Sequence, residues 1–384
     1  MKPRSVLSIF VATLFSCVMF AAGPLLASDT IKIGSILAVT GPASFLGDPE
    51  LKTLQIYIED INKKGGVLGK KLELVHYDTK AKAKDAKNFV NRLIKKDRVD
   101  VIVGGTTSGN TIAVMDMVDR AGVPFISLAG SVKIIEPVKK YIFKTPHTDK
   151  MAVCKIYEDL NKRGIKKVAI ITGNGGFDKS GRAQLLALAD KYGMKIVADE
   201  QYGNSDTDMT TQLTKIRATD AEAIINFGFG KAPAIVTKNV RQMGIKLPLY
   251  QSHGVASKKF IQLAGPAAEG VRLPAAGLIV ADLLPDSDPQ KAVLLAYKKE
   301  YETKTGSAVS TFGGHAYDGL MIAVQAMERA GSTDKAKVRD EIEKTHGFVG
   351  TGGIFNMSPT DHLGLGLDSF RMVEVSNGAW KLVK

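Results

Sequence analysis

Hydrophobic positions change period along the chain in a regular way. A short apolar, β-branched run at 31–38 gives way to helical spacing as far as about Lys64, then strand-like spacing at 72–77 and helical spacing again to Asp97. The alternation repeats with an apolar run at 99–103, a helix at 108–121 and a strand at 124–127. Neighbouring parallel strands need a crossover between them, and a helix supplies it, so this order predicts a parallel α/β domain. Around Lys144-Thr145-Pro146 the pattern restarts, with helices expected at 149–163, to 192, at 210–218 and to 243, and strands at 167–172, 194–199, 223–227 and 249–252. A second α/β unit follows from that. Beyond Leu273-Pro274 the spacing is mainly helical, at 289–304, 314–330 and 334–345, before a Gly-rich passage at 347–353 and a short β-like tail. This last third has too few strands for a domain of its own and is expected to complete the first two. Asp149 and Asp334 stand where helix N-caps are expected, and Gly164 and Gly193 where helices stop.

The turn Gly104-Gly105-Thr106-Thr107-Ser108 joins an apolar strand to a helix start. The first turn of a helix has amides without internal acceptors, the peptide dipoles add partial positive charge, and glycines let a ligand approach the backbone. A second turn, Ser127-Leu128-Ala129-Gly130-Ser131, follows the next strand and offers further amides and a hydroxyl. Together they point to capture of a small carboxylate.

The first 27 residues carry Lys2 and Arg4, an apolar stretch at 6–20, a Gly23-Pro24 break and a small residue at Ala27, the layout of an export signal with a mature start near Ser28. Ser8, Thr13 and Ser16 interrupt the stretch, and no second one of comparable length follows, which favours an exported protein over a membrane-spanning one. Cys17 lies in a poor lipoprotein context, with Phe15 before it and apolar sequence after it, so lipid anchoring is disfavoured. Loss of residues 1–27 leaves Cys154 as the single cysteine, and stability must then come from the core. It also leaves 50 basic against 39 acidic residues, a net +11. The lysines are scattered in pairs such as Lys63-Lys64 and Lys258-Lys259, with no aromatic-basic motif, which excludes nucleic acid as the expected partner.

Catalytic and metal chemistry find little footing. His315 with Asp318, His76 with Asp78, and Asp361 with His362 each lack a third ligand at metal-site spacing. Gly173-Asn174-Gly175-Gly176 imitates a dinucleotide turn, but Asp178 stands at its third glycine position. There is no Gly-x-Ser-x-Gly elbow, and Cys154 falls in a helix-type run without a histidine motif. No enzyme activity and no cofactor are expected.

The order of signal, two α/β units and returning tail resembles the periplasmic leucine/isoleucine/valine-binding protein family, type I ligand receptors of ABC importers. The resemblance covers nearly all of the mature chain. It rests on Gly41-Pro42 with Gly47, Asp60-Ile61-Asn62 before Gly65-Gly66-Val67-Leu68-Gly69, Tyr77-Asp78, the 104–108 turn, Ala267-Ala268-Glu269-Gly270-Val271 and Ala316-Tyr317-Asp318, in that order and spacing. It implies two Rossmann-like lobes with parallel-rich sheets joined by a three-crossing hinge. Lobe 1 is then 28–145 plus 275–355 and lobe 2 is 146–274 plus 356–384, with crossings near Thr145-Pro146, Leu273-Pro274 and Phe355-Asn356. It also implies a periplasmic receptor that delivers a ligand to an inner-membrane ABC permease, and nothing in the sequence demands more than a monomer; an extracytoplasmic sensor using the same cleft is the other role.

By position, the resemblance implies that Ser108, Ala129 and Ser131 grip the ligand's carboxylate, and that Leu46, Phe177, Phe229, His253 and Phe312 complete the cleft; Thr107, in the same turn as Ser108, is a further candidate contact. Amino-acid-binding relatives often have tyrosines at the first three of those cleft positions and an acidic residue at the fourth, which pairs with the ligand's ammonium. Leu46, Phe177, Phe229 and His253 replace them here. A buried ammonium without an acceptor is costly, whereas an apolar wall with a neutral imidazole suits a flat apolar body. An aromatic or other apolar carboxylate is therefore expected in preference to a branched-chain or other hydrophobic amino acid. Asp318 is read as structural, favoured near a helix start.

Overall fold

The computed structural model describes residues 30–203 and 205–383; the expected signal at 1–27, including Cys17, lies outside them. The chain runs β1 (Thr30–Leu37), α1 (Ser44–Lys63), β2 (Lys71–Asp78), α2 (Ala83–Arg92), β3 (Val101–Gly104), α3 (Ser108–Ala121), β4 (Phe125–Ser127) and β5 (Ile142–Lys144). These strands form a parallel sheet in the order β2-β1-β3-β4-β5. Next come α4 (Asp149–Lys162), β6 (Lys167–Thr172), α5 (Gly176–Leu188), β7 (Lys195–Gln201), α6 (Thr210–Arg217), β8 (Ala223–Phe227), α7 (Ala232–Gln242), β9 (Leu249–Gln251), α8 (Lys258–Ala264) and β10 (Arg272–Ala275). The last third gives α9 (Lys291–Thr305), α10 (Thr311–Ala330), α11 (Lys335–Glu343), a small hairpin of β11 (Phe348–Val349) and β12 (Ile354–Phe355), then β13 (Arg371–Ser376) and β14 (Ala379–Leu382). The second sheet has the order β14-β13-β10-β9-β8-β6-β7, parallel from β10 to β7 and antiparallel at β13 and β14.

The last third divides as its pattern required. Leu320, Ala323 and Met327 of α10 and Val338 and Ile342 of α11 enter the core over the first sheet, where Ile33, Val101, Val103 and Ile126 are fully buried. Val373 and Val375 of β13 join Val271 and Leu273 in the second. Beyond Phe355-Asn356, Met357, Leu363 and Leu365 still pack into the first core, and Phe370 packs with side chains of the second sheet. The short strands β5 and β10 and the short helix α8 were not expected from the pattern.

Capping shows one correction and one agreement. Thr148, not Asp149, caps α4: its hydroxyl accepts from the Met151 amide at 3.0 Å. Asp149 occupies the first helical position, and its carboxylate accepts from the Val132 amide at 3.0 Å, tying α4 to the loop after β4. Asp334 does cap α11, accepting from Ala336 and Lys337. The helix expected from Gly314 begins one turn earlier, at Thr311, with the Ser310 hydroxyl as cap. Asp318 is thus too far inside α10 to serve the dipole at its start. Its buried carboxylate instead accepts from the Thr351 amide (2.6 Å), the Gly352 amide (2.8 Å) and the Thr351 hydroxyl (3.0 Å), fixing the loop that leads toward the third crossing.

Both sheets reverse direction of growth at their first strand, β1 in one and β6 in the other. Open α/β sheets bind ligands in the crevice beyond the carboxyl ends of the strands at such a reversal. The two crevices face each other, and the loops after β1, β3, β4, β6, β8 and β9 line the space between them.

Candidate functional site

At the 104–108 turn, Gly105 takes φ +75°, a backbone conformation that favours glycine, and turns the chain from β3 into α3. Thr106 is wholly inside: its hydroxyl accepts from the Ala38 amide at 3.0 Å and donates to the buried Glu50 carboxyl, locking the ends of β1 and β3 to α1. Burial pushes Glu50 well above the ordinary carboxyl range, against the opposing Thr106 bond. Thr107 is the N-cap, its hydroxyl accepting from the Asn110 amide at 3.3 Å. Ser108 is thereby released from capping. It is 1% exposed, and its oxygen accepts from the Ser131 amide at 3.1 Å, which leaves its own proton to donate. The amides of Ser108 and Gly109 lie in the first turn of α3, where no helical acceptor exists.

The turn after β4 places Leu128 and Gly130 in the cavity wall, while Ala129 and Ser131 stand behind it. The Ala129 amide donates to the Ser127 hydroxyl at 3.2 Å. Ser131 Oγ is engaged twice, accepting from the Lys133 amide at 3.2 Å and sharing a 2.7 Å bond with Ser180 Oγ of α5. So the Ser131 hydroxyl links the two sheets' loops rather than facing the cavity.

Thr107, Ser108, Leu46, Phe177, Phe229, His253 and Phe312, all expected from the sequence, line one narrow cavity between the two sheets. Leu46 and Phe312 come from the α1 and α10 side and pack with Phe229 from the other, in an apolar cluster that spans the cleft. Phe177 meets the His253 ring edge-to-face at 5.1 Å and Phe229 at 6.3 Å. Thr106, Leu128, Gly130, Pro146, Gly254 and His315 complete the wall and were not assigned to it. His315 was legible, since it follows Phe312 by three residues on a helix and so shares its face. Asp318, another three residues on, is committed to Thr351 and Gly352 instead of sharing a metal with His315. Among the described residues no group of three or more His, Cys, Asp or Glu could hold a metal ion. The Gly173–Gly176 turn is simply a helix start, with the Gly175 amide bonded to Asp178 at 2.9 Å.

Among the described residues no carboxylate lines the cavity, and the ionisable groups there are His253 and His315. Burial, with Lys144 nearby, pushes both imidazoles down to about 3, so they are neutral at physiological pH. Lys144 itself is fully buried beneath the first crossing, with one long bond from Nζ to the His147 carbonyl at 3.4 Å. Burial pushes this ammonium down to about 7, with only partial opposition from Asp149. Below pH 7 it is charged both folded and unfolded, and the full desolvation penalty stands; between about 7 and 10.5 only the unfolded chain keeps the proton, so stability rises with pH across that window. Lys144→Met is expected to raise stability at pH 6 by on the order of 2 kcal/mol, with the gain shrinking toward pH 10. Thermal melts at both pH values check this, and a variant less stable at pH 6 contradicts it.

Two facing α/β lobes, with a helix-start turn on one and aromatic side chains on the other around a shared cavity, form the architecture of a ligand-binding protein. The comparisons with known proteins agree. The sequence pattern of the periplasmic binding protein family matches residues 30–379, and the chain belongs to that family. It is similar to a leucine-, isoleucine-, valine-, threonine- and alanine-binding protein of Pseudomonas aeruginosa, 26% identical over 338 residues covering 86% of each chain. Among solved structures, an extracellular ligand-binding receptor from Rhodopseudomonas palustris HaA2 aligns with TM-score 0.86 and 27% identity over 92% of this chain and 99% of that one. The branched-chain amino acid transporter substrate-binding protein LivJ of Streptococcus pneumoniae, solved with isoleucine, aligns with TM-score 0.81 and 28% identity over 92% and 99%.

Proposed function

We propose that this chain is the exported substrate-binding component of an ABC importer of the branched-chain amino acid type, and that its ligand is a small apolar carboxylic acid, best an aromatic one. The carboxylate docks on the amides of Ser108, Gly109 and Gly130 and on the Ser108 hydroxyl. Phe177, Phe229 and Phe312 enclose the apolar body, and the shut form is what an inner-membrane permease reads. The protein acts as a periplasmic monomer without a cofactor. Lobe 1 holds the first sheet with α9 to α11, lobe 2 holds the second, and the hinge runs through Thr145-Pro146, the segment after β10, and the stretch between Leu365 and Phe370.

The cavity's charge chemistry carries this proposal. An amino acid brings an ammonium, and the wall has no carboxylate to meet it, only two neutral imidazoles with buried Lys144 behind them. Burying an unpaired ammonium costs several kcal/mol. The amino acids bound by the Pseudomonas and Streptococcus relatives favour a second reading, a branched-chain amino acid. Calorimetric titration separates the two. Benzoate is expected to bind in the micromolar range and leucine at least about 100-fold more weakly; tight leucine binding without benzoate binding overturns the proposal.

A further inference from the structure

His253 and His315 differ from the other well-buried imidazoles in one respect. The His147 ring is anchored by a 2.8 Å bond between Nε2 and Ser369 Oγ, and His362 by bonds from Nδ1 to the Ile142 carbonyl (2.7 Å) and from Nε2 to Glu343 (3.2 Å). By contrast, both ring nitrogens of His253 and Nδ1 of His315 are buried without a hydrogen-bond partner, and these two rings are the ones that line the ligand cavity. Buried polar groups in native proteins are almost always paired, so this pattern is a request for a partner. Nε2 of His253 faces the loop after β4, since a Cβ built on Gly130 would come within 2.8 Å of it.

Neutral imidazole sets what that partner must supply, and a wall without counter-charge favours an uncharged donor over an ammonium. One ring nitrogen carries a proton and the other does not, whichever tautomer is present. His253 therefore presents one donor and one bare acceptor. The backbone carbonyl of His147 faces this ring, favouring a proton on the nitrogen nearest to it. A carboxylate can only accept, and an apolar ring has nothing to offer, so neither satisfies the bare nitrogen. A methoxy group or a second carboxylate fails for the same reason. A hydroxyl donates and accepts at once.

On the reading that the ligand is an aromatic carboxylate, we infer that it also bears a hydroxyl, which donates to the bare nitrogen of His253, with His315 beside it in the wall as the second polar contact. The preferred substrates are then hydroxylated aromatic acids, and His253 is the residue that selects them.

Calorimetry with benzoate, the three hydroxybenzoate isomers and the 3- and 4-methoxybenzoates tests this on the wild-type chain. At least one hydroxybenzoate is expected to bind about tenfold or more tightly than benzoate, with no such gain for either methoxybenzoate. In His253→Leu the ratio of hydroxybenzoate to benzoate affinity falls to near one, and in His253→Gln, which keeps a donor and an acceptor, part of the ratio returns. Benzoate binding with no hydroxyl preference, equal gain from methoxy groups, or a preference that survives His253→Leu overturns the inference and leaves the aromatic reading standing. If none of these acids binds, the aromatic reading falls and takes the inference with it.

Discussion

Ser108→Ala is expected to weaken the binding of every carboxylate ligand by about 10- to 100-fold, the range of a hydrogen bond to a charged group. The magnitude follows from how few substitutes the loop has. Thr107 already caps α3, so the Ser108 hydroxyl is free to donate into the cavity, and its oxygen also holds the Ser131 amide at 3.1 Å. Alanine removes the donor and releases that amide together, so the turn after β4 loses one of its ties to the turn after β3. Because the lost contact is with the carboxylate, benzoate and its ring-substituted relatives suffer alike. Titration of wild type and variant with benzoate measures this, and unchanged affinity in a folded variant contradicts the placing of the carboxylate at this turn.

Gly176→Val is expected to reduce affinity by at least about tenfold through a different route. Gly176 opens α5 on one lobe, and a Cβ built there would lie 2.9 Å from both Cα and N of Gly109 in α3 on the other. Its neighbour across the cleft is backbone and cannot rotate away. Position 176 needs no positive φ, so valine is compatible with its own helix. The substitution therefore obstructs the approach of the lobes and leaves each lobe's fold alone. Loss of affinity with a ligand-free melting temperature close to wild type is the expected result, and wild-type affinity would show that the 176–109 contact plays no part in closure.

The architecture was largely legible because each of its rules acts locally. Period switches marked the β1 to β4 and β6 to β9 units with their helices, and the family resemblance then pointed to Ser108, Phe177, Phe229 and His253, which the fold brings to one cavity. What escaped depended on distant partners or on very short runs. Ser131 looks like an anion ligand from its turn, but its hydroxyl is taken by Ser180, 49 residues away. β5 has three residues and β10 has four, one of them Pro274, too short for a period to register. Asp149 looks like an N-cap, yet its carboxylate is drawn to the Val132 amide while Thr148 caps the helix. His315 was weighed only as a metal ligand with Asp318, although its spacing from Phe312 was enough to put it on the cavity face.

Competition for the cleft tests the central claim, an anion receptor with no place for an ammonium, most directly. In a calorimetric displacement experiment, protein loaded with benzoate should release no detectable benzoate when leucine is added to roughly millimolar concentration. Displacement by micromolar leucine would mean that the cavity accommodates a zwitterion after all, and would contradict the account.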